Sequence, residues 1–129
     1  MIVVDASVVL EVLLETDGGR QIAPRLRAEQ ELHAPHLIDL EVAQVLRRYC
    51  AWGDLMEERA RESLLDFRAM RIVRYPHFML LDRIWELRHN FTAYDASYVA
   101  VAEILDAVLL TRDAALASSR SHRARVELV

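Results

Sequence analysis

Two short segments, MIVVD at 1–5 and AVLLT at 107–111, are apolar without alternation, and each delivers the chain to an acid, Asp5 in the first case and Asp113 in the second. A run apolar on both sides belongs to a strand buried on both faces, which is the condition of a central strand in a parallel sheet. Parallel neighbours cannot be joined by tight hairpins and need crossover segments, usually helices. The chain is 129 residues long and 53% hydrophobic, enough for one compact domain over 1–129 with a sizeable core.

The segments between the runs supply those crossovers. SVVLEVLLE after Ser7 has helix-compatible spacing, TDGG at 16–19 breaks the chain, and RQIAPRLRAEQ predicts a second helix with an early proline. ELHAP is short enough for a strand end. Leu37, Leu40, Val45, Leu46 and Tyr49 keep helical period up to Trp52, and Gly53 supplies the stop. MEERARESLLDFRAM predicts a helix with an apolar stripe at Leu64, Leu65 and Phe67, RIVRYP a strand, and FMLLDRIWELRHN an amphipathic helix. Thr92 and Asp95 have capping-box spacing ahead of YDASYVAVAEILD, whose small and apolar residues on several faces predict a buried helix. DAALASSRS reads as a short helix and ARVELV as a last strand. The order indicates an α/β protein with a parallel sheet covered on both faces.

Asp5, Glu41, Asp95 and Asp113 each sit where a strand or loop hands over to a helix. In parallel sheets ligand-binding groups gather at the carboxyl ends of the strands, so Asp5 and Asp113 are expected to face one another across adjacent strands. An acid at a helix start is also favoured by the unpaired N–H groups there, which is sufficient reason for either Glu41 or Asp95 alone. Asp95, however, continues the apolar face of Tyr98, Val99 and Ala102, where an unpaired carboxylate is costly without a cation. Four convergent carboxylates suit a hard cation, Mg²⁺ or Mn²⁺, which activates water against a phosphodiester.

Composition narrows the alternatives. The net charge of −4 opposes broad non-specific affinity for nucleic acid, so any binding of phosphates must be local. All 16 basic residues are arginine. Arg112, Arg120, Arg123 and Arg125 gather late in the chain and are candidate phosphate contacts beside Asp113, Arg112 and Arg120 above all; a solvated basic patch is the competing reading. Cys50 is the single cysteine, which excludes an internal disulfide and reads as a small helix residue. His33, His36, His77, His89 and His122 have no metal-binding spacing and are read as surface or packing residues. Trp52 and Trp85 are read as core or dimer contacts, with stacking on RNA bases as the alternative, and Tyr98 as core. No stretch is long and apolar enough to span a bilayer and no signal peptide precedes the first strand, so the expected location is cytoplasmic, away from membranes.

The segments VVDAS at 3–7, LIDLEVAQVLRR at 37–48, TAYDASYVAVAE at 92–103 and LLTRDAAL at 109–116 together resemble PIN-domain ribonucleases, and within them the VapC toxins of toxin-antitoxin pairs. The resemblance spans essentially the whole chain and implies a three-layer α/β/α sandwich with a five-stranded parallel sheet. It implies that Asp5, Glu41, Asp95 and Asp113 form the acidic quartet that binds Mg²⁺ or Mn²⁺, with the hydroxyls of Ser7 and Thr111 beside it. It also implies an RNA substrate, a tRNA or ribosomal RNA, a cognate antitoxin that docks near the site, and a homodimer. Asp39, two residues before Glu41, is an extra acid and is read as a helix cap in preference to a competing ligand.

On this reading Asp5, Asp95 and Asp113 hold the ion, partly through water, and Glu41 completes the shell or orients the attacking water. With no histidine at the site, water is favoured over the RNA 2′-hydroxyl as nucleophile, leaving a 5′-phosphate and a 3′-hydroxyl. The antitoxin is expected to lay an amphipathic helix between Val9–Leu14 and Val42–Tyr49 and to place a cation among the carboxylates. Receiver domains and haloacid-dehalogenase-type phosphatases also carry an acid after the first strand, but they ordinarily use a lysine, which this chain lacks. A housekeeping PIN nuclease, or a PIN-like binding module without catalysis, is the remaining alternative.

Overall fold

The computed structural model describes residues 1–129 and alternates strand with helix: β1 (Ile2–Val4), α1 (Ala6–Leu13), α2 (Asp17–Ala28), β2 (Leu32–Pro35), α3 (Leu37–Ala51), α4 (Glu57–Ala69), β3 (Ile72–Tyr75), a 3₁₀ turn (His77–Leu80), α5 (Leu81–Glu86), α6 (Ala93–Leu105), β4 (Val108–Thr111), α7 (Ala114–Ser118) and β5 (Arg125–Leu128). All strand pairs are parallel, in the order β3-β2-β1-β4-β5. The chain therefore builds outward from β1 to β2 and β3, then returns to the other side of β1 for β4 and β5. With right-handed crossovers, that reversal puts α1–α4 on one face and α5–α6 on the other, giving the three-layer α/β/α arrangement. It also opens a crevice between the carboxyl ends of β1 and β4, where an open parallel sheet places its ligand site.

The two apolar runs are neighbours at the centre of the sheet, with Val4 opposite Leu110. Val3, Val4, Leu109 and Leu110 are fully buried, as continuous apolar strands require when helices cover both faces. Burial of each such side chain contributes about 1.5–3 kcal/mol. In α6 every residue from Ala96 to Ala102 is buried, and the alanines let the sheet approach closely. Arg83 fixes α5 to α6 with a two-pronged contact, Nε to Glu103 Oε2 at 2.7 Å and Nη2 to Oε1 at 2.9 Å, which holds the Glu103 carboxyl below its ordinary value. No helix is long and apolar enough to cross a membrane.

Several local expectations are corrected. TDGG does not break the chain: Thr16 caps α2 by accepting from Gly19 N, and Asp17, Gly18 and Gly19 form its first turn. Glycine is required at 19 because a Cβ there would lie 1.9 Å from the Glu11 carbonyl oxygen, so α2 packs against α1 backbone to backbone. The helix expected over 78–90 is shorter, a 3₁₀ turn followed by α5. The buried face of α4 is Ser63 and Phe67, while Leu64 and Leu65 are exposed. Trp52 and Trp85 are not core residues: 65% and 67% of their surface is open to solvent.

Candidate acidic site at the sheet switch point

Asp5 follows β1 directly and caps α1, its Oδ1 accepting from Val8 N at 3.1 Å. The same oxygen accepts from the Ser7 hydroxyl at 2.5 Å, and Oδ2 accepts from the Thr111 hydroxyl at the end of β4. The Thr111 oxygen also accepts from Asp113 N at 2.9 Å, and Ser7 Oγ accepts from Arg112 N at 3.1 Å. These hydroxyls therefore stitch the ends of β1 and β4 together and fix the orientation of the Asp5 carboxylate, which is buried. Asp113 is exposed and caps α7 through Oδ1, which accepts from Ala115 N at 2.8 Å and Leu116 N at 3.2 Å.

Glu41 and Asp95 come from opposite faces of the sheet. Glu41 lies one turn into α3, and Tyr98 of α6 donates to its Oε1 at 2.7 Å. Asp95 lies in the first turn of α6, where Thr92 accepts from its backbone N–H at 3.2 Å, as the capping spacing predicts. Burial raises the carboxyls of Asp5, Glu41 and Asp95 above their ordinary values. Mutual repulsion adds to this: Asp5 and Asp95 act on Glu41, and Asp113 and Asp5 act on Asp95. The structure thus brings all four predicted acids to one end of the sheet, together with Ser7 and Thr111.

The site is a shared field of negative charge rather than a closed cage, since no three His, Cys, Asp or Glu side chains come close enough to ligate one ion directly. Its donors are carboxylates and hydroxyls, the oxygen set that suits a hard divalent cation retaining several waters. The chemistry of the residues fits Mg²⁺ or Mn²⁺ on that ground.

Other predicted residues fall elsewhere. Arg123 and Arg125 stand at the amino end of β5, where Arg123 meets Glu103 and Arg125 donates to the Asp106 carbonyl, so neither reaches Asp113. Arg120 follows the C-terminus of α7, whose N-terminus is the end at Asp113. Arg112 stays close to the acids but donates to the Val129 carbonyl. Asp39 does not cap α3; it accepts from Arg74 Nε on β3 through both oxygens, at 2.8 and 3.0 Å. The cap comes instead from His77, 40 residues away, whose Nε2 accepts from Leu37 N at 2.8 Å. Tyr98 lies in the core as predicted, yet its hydroxyl serves the site, a role for which a buried tyrosine beside an acid-bearing helix gives only the weak signal that a buried O–H needs a partner.

An all-parallel α/β/α sheet with an acidic crevice at its switch point is an architecture shared by several families, and the sequence identifies which one. Residues 2–119 match the PIN domain family, to which this chain belongs. Ribonuclease VapC9 of Mycobacterium tuberculosis is 42% identical over 129 residues, covering 100% of this chain and 98% of its own. Among solved structures, PAE2754 of Pyrobaculum aerophilum superposes with a TM-score of 0.72 at 24% identity, covering 97% of this chain and 87% of that one. VapC20 of M. tuberculosis, described as a sarcin-ricin loop cleaving toxin, does so with a TM-score of 0.62 at 19% identity, covering 84% and 87%. Both confirm the fold.

Proposed function

We propose that this chain is a divalent-metal-dependent endoribonuclease and the toxin of a toxin-antitoxin pair, with Asp5, Glu41, Asp95 and Asp113 as its acidic centre. The observation that carries the reading is the convergence of these acids at the switch point, three of them with raised carboxyl values, in a chain whose full-length relatives are named VapC ribonucleases. Mg²⁺ or Mn²⁺ bound there would supply charge neutralisation at the scissile phosphate and a more acidic water.

The residues divide the remaining work. Asp5, held by Ser7, Thr111 and Val8 N, is the fixed anchor, and Asp95 lies near enough for the two carboxylates to repel. Asp113 spends one oxygen on α7, and its other oxygen takes no hydrogen bond within the chain. Glu41, steadied by Tyr98 yet half-exposed, is placed to orient water towards a phosphate. Hydrolysis by water leaves a 5′-phosphate and a 3′-hydroxyl on the cut RNA.

The partners follow from the same reading: a structured RNA, a tRNA or ribosomal RNA, as substrate, and an antitoxin that shields the acids. A homodimer is part of the proposal, and the exposed Phe78, Met79, Leu81 and Trp85 offer apolar surface for it. The proposed location is the cytoplasm. The test is cleavage of total RNA by purified protein with Mn²⁺, with mapping of the cut ends. Wild type should cut at defined sites and Asp5→Asn should be inert while folded; equal cutting by both removes Asp5 from the site. Growth arrest on expression, relieved by the small protein encoded beside it, supports the toxin role, and its absence points to a housekeeping nuclease.

A further inference from the structure

An acidic centre in a chain of net charge −4 repels the polyanion it is proposed to cut, so a local cation and non-ionic contacts must hold the RNA in place. Most arginines are committed elsewhere. Arg59, Arg74 and Arg83 are tied into ion pairs, and Arg112 donates to the Val129 carbonyl. Arg48 enters none of the chain's ion pairs. It is exposed on the same side of α3 as Glu41, two turns further along.

Two adjoining cavities, of about 330 and 450 Å³, share Glu41 and Arg48 in their walls. The smaller is shallow and is lined by Tyr94, the residue before Asp95, which is 64% exposed. At the other end Trp52 caps α3 with most of its ring in solvent. Arg48 Cζ lies 5.8 Å from the centroid of the Trp52 ring, and the Tyr49 ring lies 6.2 Å from it. From Glu41 to Trp52 is eleven residues of helix and cap, about 16 Å along the axis.

We propose that this groove along α3 is a track for single-stranded RNA, with Arg48 on a phosphate and Trp52 and Tyr94 as stacking platforms on either side of it. The inference rests on the ribonuclease reading and deepens it by assigning where the strand beyond the cut is held. Exposed aromatics beside an unpaired guanidinium are the groups that bind single strands, because every base has a π face and every nucleotide a phosphate. Glu41 lines both cavities and Ser7, which donates to Asp5, lines the larger, so a strand lying in the groove passes beside the acidic centre. Trp52 and Arg48 act here on binding and choice of substrate, not on the reacting atoms.

The test uses an oligoribonucleotide of mixed sequence and the full chain carrying Asp5→Asn, which prevents cutting. With Trp85→Phe added, Trp52 is the only tryptophan, and its fluorescence should be quenched saturably by the oligonucleotide. Trp52→Ala should weaken binding about tenfold, the effect of one lost stacking contact, and Trp52→Phe should recover most of it. Arg48→Gln should lower the slope of log affinity against log salt by about 0.7, one phosphate contact on a single strand. In the cleaving protein the same changes should raise KM and leave kcat nearly constant. Binding without quenching, and unchanged by Trp52→Ala, would overturn the track alone while RNA cutting persists. Trp52→Ala that keeps RNA affinity but loses a co-expressed antitoxin would assign the groove to protein instead. If no form binds or cuts RNA, the proposed function falls with it.

Discussion

Tyr98 and Glu41, 57 residues apart, are joined by a 2.7 Å hydrogen bond from phenol to carboxylate that ties α6 on one face of the sheet to α3 on the other. The bond offsets part of the burial that raises Glu41, and burial, followed by the Glu41 and Asp5 carboxylates, pushes the phenol of Tyr98 far above its ordinary value, so it remains a donor at any physiological pH. Tyr98→Phe should destabilise the protein by about 1–2 kcal/mol, at the lower end because Glu41 keeps part of its solvent contact. Urea unfolding at neutral pH measures this. RNA cleavage should fall in the same variant through loss of Glu41 placement, and unchanged rates would show that the bond is structural only.

Stability without metal should depend on pH in a direction set by the raised carboxyls. Asp5, Glu41 and Asp95 bind protons more tightly folded than unfolded, so the native state gains protons relative to the unfolded chain as pH falls. Their unfavourable contribution is absent below the ordinary values, 3.8 for Asp and 4.5 for Glu, and develops as pH rises through the raised native ones. Asp95→Asn should therefore leave the metal-free protein as stable as wild type in acid and equally or more stable at neutral pH. Mn²⁺ should raise the thermal midpoint of wild type more than that of the variant. A marked loss of metal-free stability at neutral pH would show instead that Asp95 serves the start of α6.

Gly19 marks the closest approach of α1 and α2. An alanine Cβ would meet the Glu11 carbonyl oxygen at 1.9 Å, and backbone on both sides leaves nothing flexible to yield. Gly19→Ala should destabilise by about 3 kcal/mol or more, at or beyond the upper end of ordinary overpacking, whereas Gly53→Ala tests only the cost of a positive φ at an open turn. Comparable midpoints for the two variants in thermal unfolding would refute the steric account.

His77 caps α3 from outside the helix, and its Nε2 must be free of a proton to accept from Leu37 N. His77→Ala should cost about 1 kcal/mol, the usual effect of a lost cap. The loss should concentrate at the start of α3, seen as faster amide exchange at Leu37 and Ile38. Arg74→Ala should loosen the same turn through Asp39, and the two losses should not simply add because Arg74 on β3 and His77 in the 3₁₀ turn after it hold the same helix start.

Local order in the sequence determined most of the architecture: the unalternating runs at β1 and β4, the helical period after Leu37, the Thr92 cap and the placing of Asp5, Asp95 and Asp113 at element junctions. Such features depend on residues within a turn or two of one another, where periodicity and unpaired backbone N–H groups leave a readable trace. The switch of direction at β1, the hydroxyls of Ser7 and Thr111 closing on Asp5, the Tyr98–Glu41 bond and the His77 cap were decided by tertiary structure, because each joins groups held near one another only once the sheet has formed. Exposure followed the same division. Trp52 and Trp85 have apolar neighbours in sequence, but a helix end and a six-residue helix have too little packed surface around them to cover an indole, so both rings stand in solvent.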